Sequence, residues 1–132
     1  FKHAAVILQK EFTDKLISDI NRDSYRSISV VSQYCLDIKP VETIPPSDFQ
    51  PSPKVHSTLA VIKSRNTLTK NEISIIKKLF SFRRKQLGSI LNLLNQQENV
   101  MSYCSENFDL SKRIHEFPPY AIVSLVKLLI DE

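Results

Sequence analysis

The sequence predicts an α/β fold in which three β-strands precede a small all-helical domain. Three observations carry this. An unbroken apolar run, Ala4 to Leu8, opens the chain. Two strand-like stretches, Asp37 to Ile44 and Ser57 to Lys63, flank a loop with four prolines in nine residues. Beyond Arg65, apolar residues recur mostly at helical spacing. The α/β part is placed at residues 1–65 and the helical part at 66–132.

Taken in order, Ala4 to Leu8 has the pattern of a strand covered on both faces, as in the middle of a parallel sheet. Glu11 to Ile20 sets Phe12, Leu16 and Ile20 four residues apart, which predicts an amphipathic helix ending in the polar turn Asn21 to Ser24. Ile28 to Tyr34 reads as a short helix, and the two strands follow. Thr69-Lys70-Asn71-Glu72 is a capping box, with Leu68 and Ile73 as its flanking staple, so a helix starts there with Ile73, Ile76, Leu79 and Phe80 on one face. Leu87, Ile90, Leu91 and Leu94 predict the next helix. Asn95 to Ser111 reads as irregular, and Pro118 to Ile130 as a last, very apolar and largely buried helix.

Composition narrows the class. At 132 residues and 42% hydrophobic content the chain suits a water-soluble fold with a modest core. No apolar stretch reaches the roughly 20 residues that cross a bilayer, and the N-terminus shows no signal-peptide pattern, so a cytoplasmic protein is expected. Cys35 and Cys104 form no C-x-x-C pair and read as free thiols. His3, His56 and His115 lack ligand spacing, and no metal site is expected.

The net charge of +4 is unevenly spread: residues 1–48 carry −1, residues 49–95 carry +8 and residues 96–132 carry −3. Lys77 and Lys78 read singly as a solvated helix face. The cluster Arg83-Arg84-Lys85 reads as phosphate-contacting, because arginine forks match phosphate oxygens. Within the proline loop, Phe49-Gln50-Pro51-Ser52-Pro53-Lys54-Val55 holds one ring on a backbone whose φ angles proline restricts. Such a loop suits an enzyme that stacks an extruded nucleobase. A proline-rich turn that only connects two strands has the same composition. A concentrated basic face beside an aromatic platform points to RNA as partner.

Five segments occur in a telling order: Val6-Ile7-Leu8-Gln9-Lys10-Glu11-Phe12; Tyr25; Ile28-Ser29-Val30 with Gln33; the Phe49 to Val55 loop; and Phe82-Arg83-Arg84-Lys85-Gln86-Leu87. In that order they resemble the C-terminal half of the rRNA adenine N6,N6-dimethyltransferases, the KsgA-like dimethyladenosine transferase family, strongly from residue 1 to about residue 95. His56 stands where that family usually has Asp, and Arg26 where it usually has Gly. The resemblance implies the C-terminal part of a Rossmann-like methyltransferase sheet, three strands of which the last two are antiparallel, followed by an RNA-docking all-helical domain. It also implies S-adenosylmethionine as methyl donor, small-subunit rRNA as substrate, Phe49 against the target base, and Lys54, Arg83, Arg84 and Lys85 on RNA.

The family's donor site and catalytic motif have no counterpart here. The only glycine is Gly88, so no Gly-x-Gly turn exists, and no Asn-x-Pro-Tyr/Phe motif is present. The chain therefore reads as a fragment, with no catalytic or cofactor-binding residue, inactive alone and prone to self-association through an unpaired sheet edge. Phe117-Pro118-Pro119-Tyr120 imitates an amino-methyltransferase motif, but Phe117 has no oxygen to accept from an amine, and Pro at a helix start is ordinary. Two alternatives share these features: a non-enzymatic RNA-binding or ribosome-assembly module, and a large-subunit rRNA adenine methylase of the antibiotic-resistance type.

Overall fold

The computed structural model describes residues 3–94 and 98–130. Strands β1 (His3–Gln9), β2 (Leu36–Ile44) and β3 (Ser57–Ser64) form a sheet in the order β1-β3-β2, with β3 antiparallel to both neighbours. Pro40 lacks an amide donor and sits on the outer strand, where a bulge between Pro40 and Glu42 skips Val41 and leaves it exposed. Helices α1 (Lys10–Leu16) and α2 (Ser27–Cys35) separate β1 from β2. Four more, α3 (Lys70–Ser81), α4 (Leu87–Leu93), α5 (Glu98–Asn107) and α6 (Pro119–Ile130), follow the sheet.

One core joins these helices. Tyr25 and Val30 pack with Ile76, Leu79, Leu87, Ile90, Leu91, Ile122 and Val126, all essentially inaccessible. Helix α6 lies against α2 and α3, so the element between β1 and β2 shares its apolar face with the C-terminal helices. The Tyr25 hydroxyl donates to the Phe117 carbonyl at 2.8 Å, and its ring meets Phe80 edge-on at 5.9 Å. Burial pushes this phenol above its ordinary pKa.

The capping box holds as read. Glu72 N–H donates to Thr69 Oγ1 at 3.1 Å, and Thr69 N–H donates to Glu72 Oε1 at 2.8 Å. Lys127 of α6 then reaches Glu72 at 3.2 Å and ties the two helices. The Phe117 to Tyr120 stretch is a helix start: α6 begins at Pro119, Phe117 is buried and Tyr120 is exposed.

Three local expectations fail. Helix α1 stops at Leu16, and Phe12 and Ile20 stay exposed while Leu16 is buried. The stop has a visible cause, since α2 supplies its cap: Ser29 Oγ donates to Lys15 O, Ser32 Oγ to Leu16 O, and Gln33 Nε2 to Leu16 O and Ser18 O. Strand β1 is half-buried at Ala4, Val6 and Leu8, with Ala5 and Ile7 exposed, and among the described residues it pairs with β3 alone, at the edge of the sheet. The stretch read as irregular contains α5, whose Val100, Met101 and Cys104 recur at helical spacing and pack on the core, followed directly by Phe108. Asn95, at the start of that stretch, lies outside the described residues.

Candidate nucleic-acid interface

Between β2 and β3 the chain turns through a short 3-10 helix, Pro46–Asp48, fixed by Asp48 N–H to Pro45 O at 3.1 Å and Phe49 N–H to Pro46 O at 3.2 Å. The Phe49 carbonyl accepts from Ser52 Oγ at 3.1 Å, and the ring is half-buried. The Gln50–Pro51 peptide bond is cis. The far end of the loop is pinned to the sheet by Lys10 N–H donating to His56 O at 3.0 Å. Phe49 is thus held by proline-bounded backbone while part of its ring stays accessible.

Lys54, exposed, lines a cleft of about 450 Å³ together with Gln9, Lys10, Glu11, Asp14, Val55 and His56. Lys10 pairs with Asp14 across one helical turn at 2.9 Å, while Lys54 enters no ion pair among the described residues. The cleft brings the end of β1 and the proline loop together, although they are far apart in sequence.

Arg83, Arg84 and Lys85 lie in the turn after α3 and line a different groove of about 470 Å³, shared with Asp23, Arg26, Phe80, Ser81 and Phe82. Their environments differ. The Arg83 side chain is only 19% exposed; its Nη2 donates to Arg22 O at 2.7 Å and its Nη1 lies 3.6 Å from the Asp23 carboxylate. This arginine clamps the turn that precedes α2, where Asn21 has φ 66° and donates to His115 O at 2.7 Å. Arg84 and Lys85 are exposed and, among the described residues, enter no ion pair. Arg84 is anchored through its backbone, whose carbonyl accepts from Arg113 Nε at 2.9 Å. Lys54 and the Arg83 to Lys85 cluster therefore occupy two surfaces, and sequence order did not show that Arg26 joins the second.

His115, close to Arg83, has a buried Nδ1 without a hydrogen-bond partner among the described residues. Desolvation first, and the nearby Arg83 charge second, hold its pKa below the ordinary histidine value, against an opposing pull from Glu116. Burial raises both free thiols, Cys35 and Cys104. No cluster of three metal-ligating side chains exists among the described residues. Gly88 lies inside α4, with its N–H on Leu110 O at 3.0 Å, so it builds no ligand-cradling turn. Among the described residues no helix is long and apolar enough to cross a membrane.

The fold matches part of an α/β methyltransferase fold. The chain superposes on the crystal structure of a dimethyladenosine transferase from Plasmodium falciparum with a TM-score of 0.76 at 21% identity, covering 99% of this chain and 57% of that one. It also matches the 23S rRNA methyltransferase ErmE, with a TM-score of 0.55 at 18% identity. At such identities the likeness concerns the fold. Sequence takes it further: the family model described as ribosomal RNA adenine dimethylase matches residues 1–131, and the chain belongs to that family.

Curated relatives carry the name ribosomal RNA small subunit methyltransferase A. That of Mycoplasma mobile is 34% identical over 77% of this chain and 42% of its own length. That of Buchnera aphidicola is 37% identical over 76% of this chain and 40% of its own length. That of Pelagibacter ubique is 30% identical over 96% of this chain and half of its own length. The chain thus spans about half the length of the curated relatives it matches.

Proposed function

We propose that this chain is the C-terminal half of an S-adenosylmethionine-dependent small-subunit rRNA adenine N6-dimethyltransferase, acting in the cytoplasm on the small-subunit precursor. The family match along nearly the whole chain carries this reading. Residues 1–65 would complete the methyltransferase sheet, and residues 66–132 would dock structured rRNA. The donor and the catalytic motif would be supplied by the other half, so the chain alone transfers no methyl group.

Its contribution is positioning. An adenosine leaves its stack at a cost of a few kcal/mol. Phe49 lines the extruded base and returns about 1 to 3 kcal/mol, the range of base–aromatic stacking. Lys54 holds a phosphate near the loop, and Arg83, Arg84 and Lys85 hold phosphates at the helical domain. Arg83 has a second duty, since its fork also fixes the Asn21 to Ser24 turn.

Labelled methyl donor and undermethylated small-subunit rRNA test the proposal. The complete protein forms N6,N6-dimethyladenosine and the 132-residue chain forms none. Methyl transfer by the chain alone, or none by the complete protein, overturns it.

A further inference from the structure

The groove beside Arg84 and Lys85 recruits a cation from a distant part of the chain. Arg26, at the start of α2, lines it together with Phe80, Phe82 and the three basic residues. Its Nε donates to Asp23 O at 2.7 Å, which fixes the base of the guanidinium. Among the described residues no carboxylate pairs with Arg26, Arg84 or Lys85. Asp23 is the groove's single acid and lies against Arg83. Three cations without acidic partners around one groove repel one another, and an anion placed between them removes that penalty.

We infer that Arg26 is an additional phosphate-contact residue, which with Arg84 and Lys85 grips the sugar–phosphate backbone of the RNA. The inference rests on the reading of Arg84 and Lys85 as RNA contacts. A guanidinium held by Nε through a backbone carbonyl keeps its two terminal nitrogens for phosphate oxygens, the geometry in which arginine exceeds lysine. Contacts of this kind set affinity and register without reading sequence.

The test measures affinity for two RNA hairpins of unrelated sequence over a range of salt concentrations. It compares the unmodified chain, Arg26→Gly, Arg26→Lys and the double variant Arg84→Ala/Lys85→Ala, each checked for folding by circular dichroism. Arg26 has extended backbone at a helix N-cap, φ −127° and ψ −179°, which glycine adopts without strain. Arg26→Gly is expected to weaken both hairpins equally and to lower the slope of log K against log salt by about one, while Arg26→Lys keeps most of the slope. Unchanged affinity and slope in Arg26→Gly, with binding lost in the double variant, overturns the role of Arg26 and leaves the RNA reading standing. Unchanged binding in the double variant overturns both.

Discussion

Tyr25→Phe removes one oxygen from the centre of the molecule. The phenol is wholly buried and its hydroxyl donates to the Phe117 carbonyl, 92 residues away, at 2.8 Å. The ring and its edge contact with Phe80 survive the change, so the loss is confined to the hydrogen bond and the carbonyl left behind. A buried acceptor deprived of its donor costs about 1 to 3 kcal/mol. For a chain of this size that lowers the melting temperature by about 3 to 5 °C per kcal/mol. With a urea slope near 1.5 kcal/mol per molar, the midpoint falls by about 1 M. Urea unfolding followed by circular dichroism and tyrosine fluorescence is the assay. The bond ties residues before β2 to the start of α6, so both probes should shift together in one transition. An unchanged midpoint, or two transitions of which one stays fixed, would refute the single shared core.

Other outcomes follow from the same contacts. Thr69→Ala should cost about 1 kcal/mol by stripping the α3 cap, read as a melting shift. Glu72 is held below its ordinary pKa, chiefly by the Thr69 amide and then by Lys127. Its contribution is therefore complete above the unfolded value near about 4.3 and lost as pH falls through the lower folded value, so Glu72→Gln should flatten the acid side of a stability profile. His115 is also depressed, which favours the neutral ring in the folded state. Its contribution is complete above about pH 6.5 and declines as pH falls below that value, and melts between pH 8 and 5.5 should show a decline that His115→Gln reduces. Arg83→Lys keeps the charge but loses the two-acceptor fork on the Arg22 carbonyl and Asp23, and should lower stability by about 1 to 2 kcal/mol in the same urea assay. The chain alone should self-associate through the β1 edge, and a monodisperse monomer in sedimentation velocity would contradict that.

The residues differ in how plainly they announced their roles. Thr69 and Glu72 were legible because a capping box is a local motif whose partners lie three residues apart. The strands around the proline loop were legible as strand-like stretches on either side of turn residues, since such local composition needs no distant partner. The end of α1 was not, because the groups that stop it, Ser29, Ser32 and Gln33, belong to the next helix and act through tertiary contact. Helix α5 escaped because its apolar face is sparse among polar residues, and only packing of Cys104 and Phe108 on the core makes the period count. The basic groove was half legible: Arg83 to Lys85 stand together in sequence, but Arg26 reaches them only through the fold, as do the Arg22 carbonyl and the Asp23 carboxylate that Arg83 contacts.

The most direct test of the account is methyl transfer by the complete protein carrying Phe49→Ala, with rRNA dimethyladenosine counted by mass spectrometry and folding checked by melting. A fixed, accessible ring that lines the target base predicts a fall in turnover at unchanged stability, of about 5- to 160-fold if the full 1 to 3 kcal/mol of stacking is realised in the transition state. Wild-type turnover in a folded Phe49→Ala protein would remove the proline loop from the site and contradict the account.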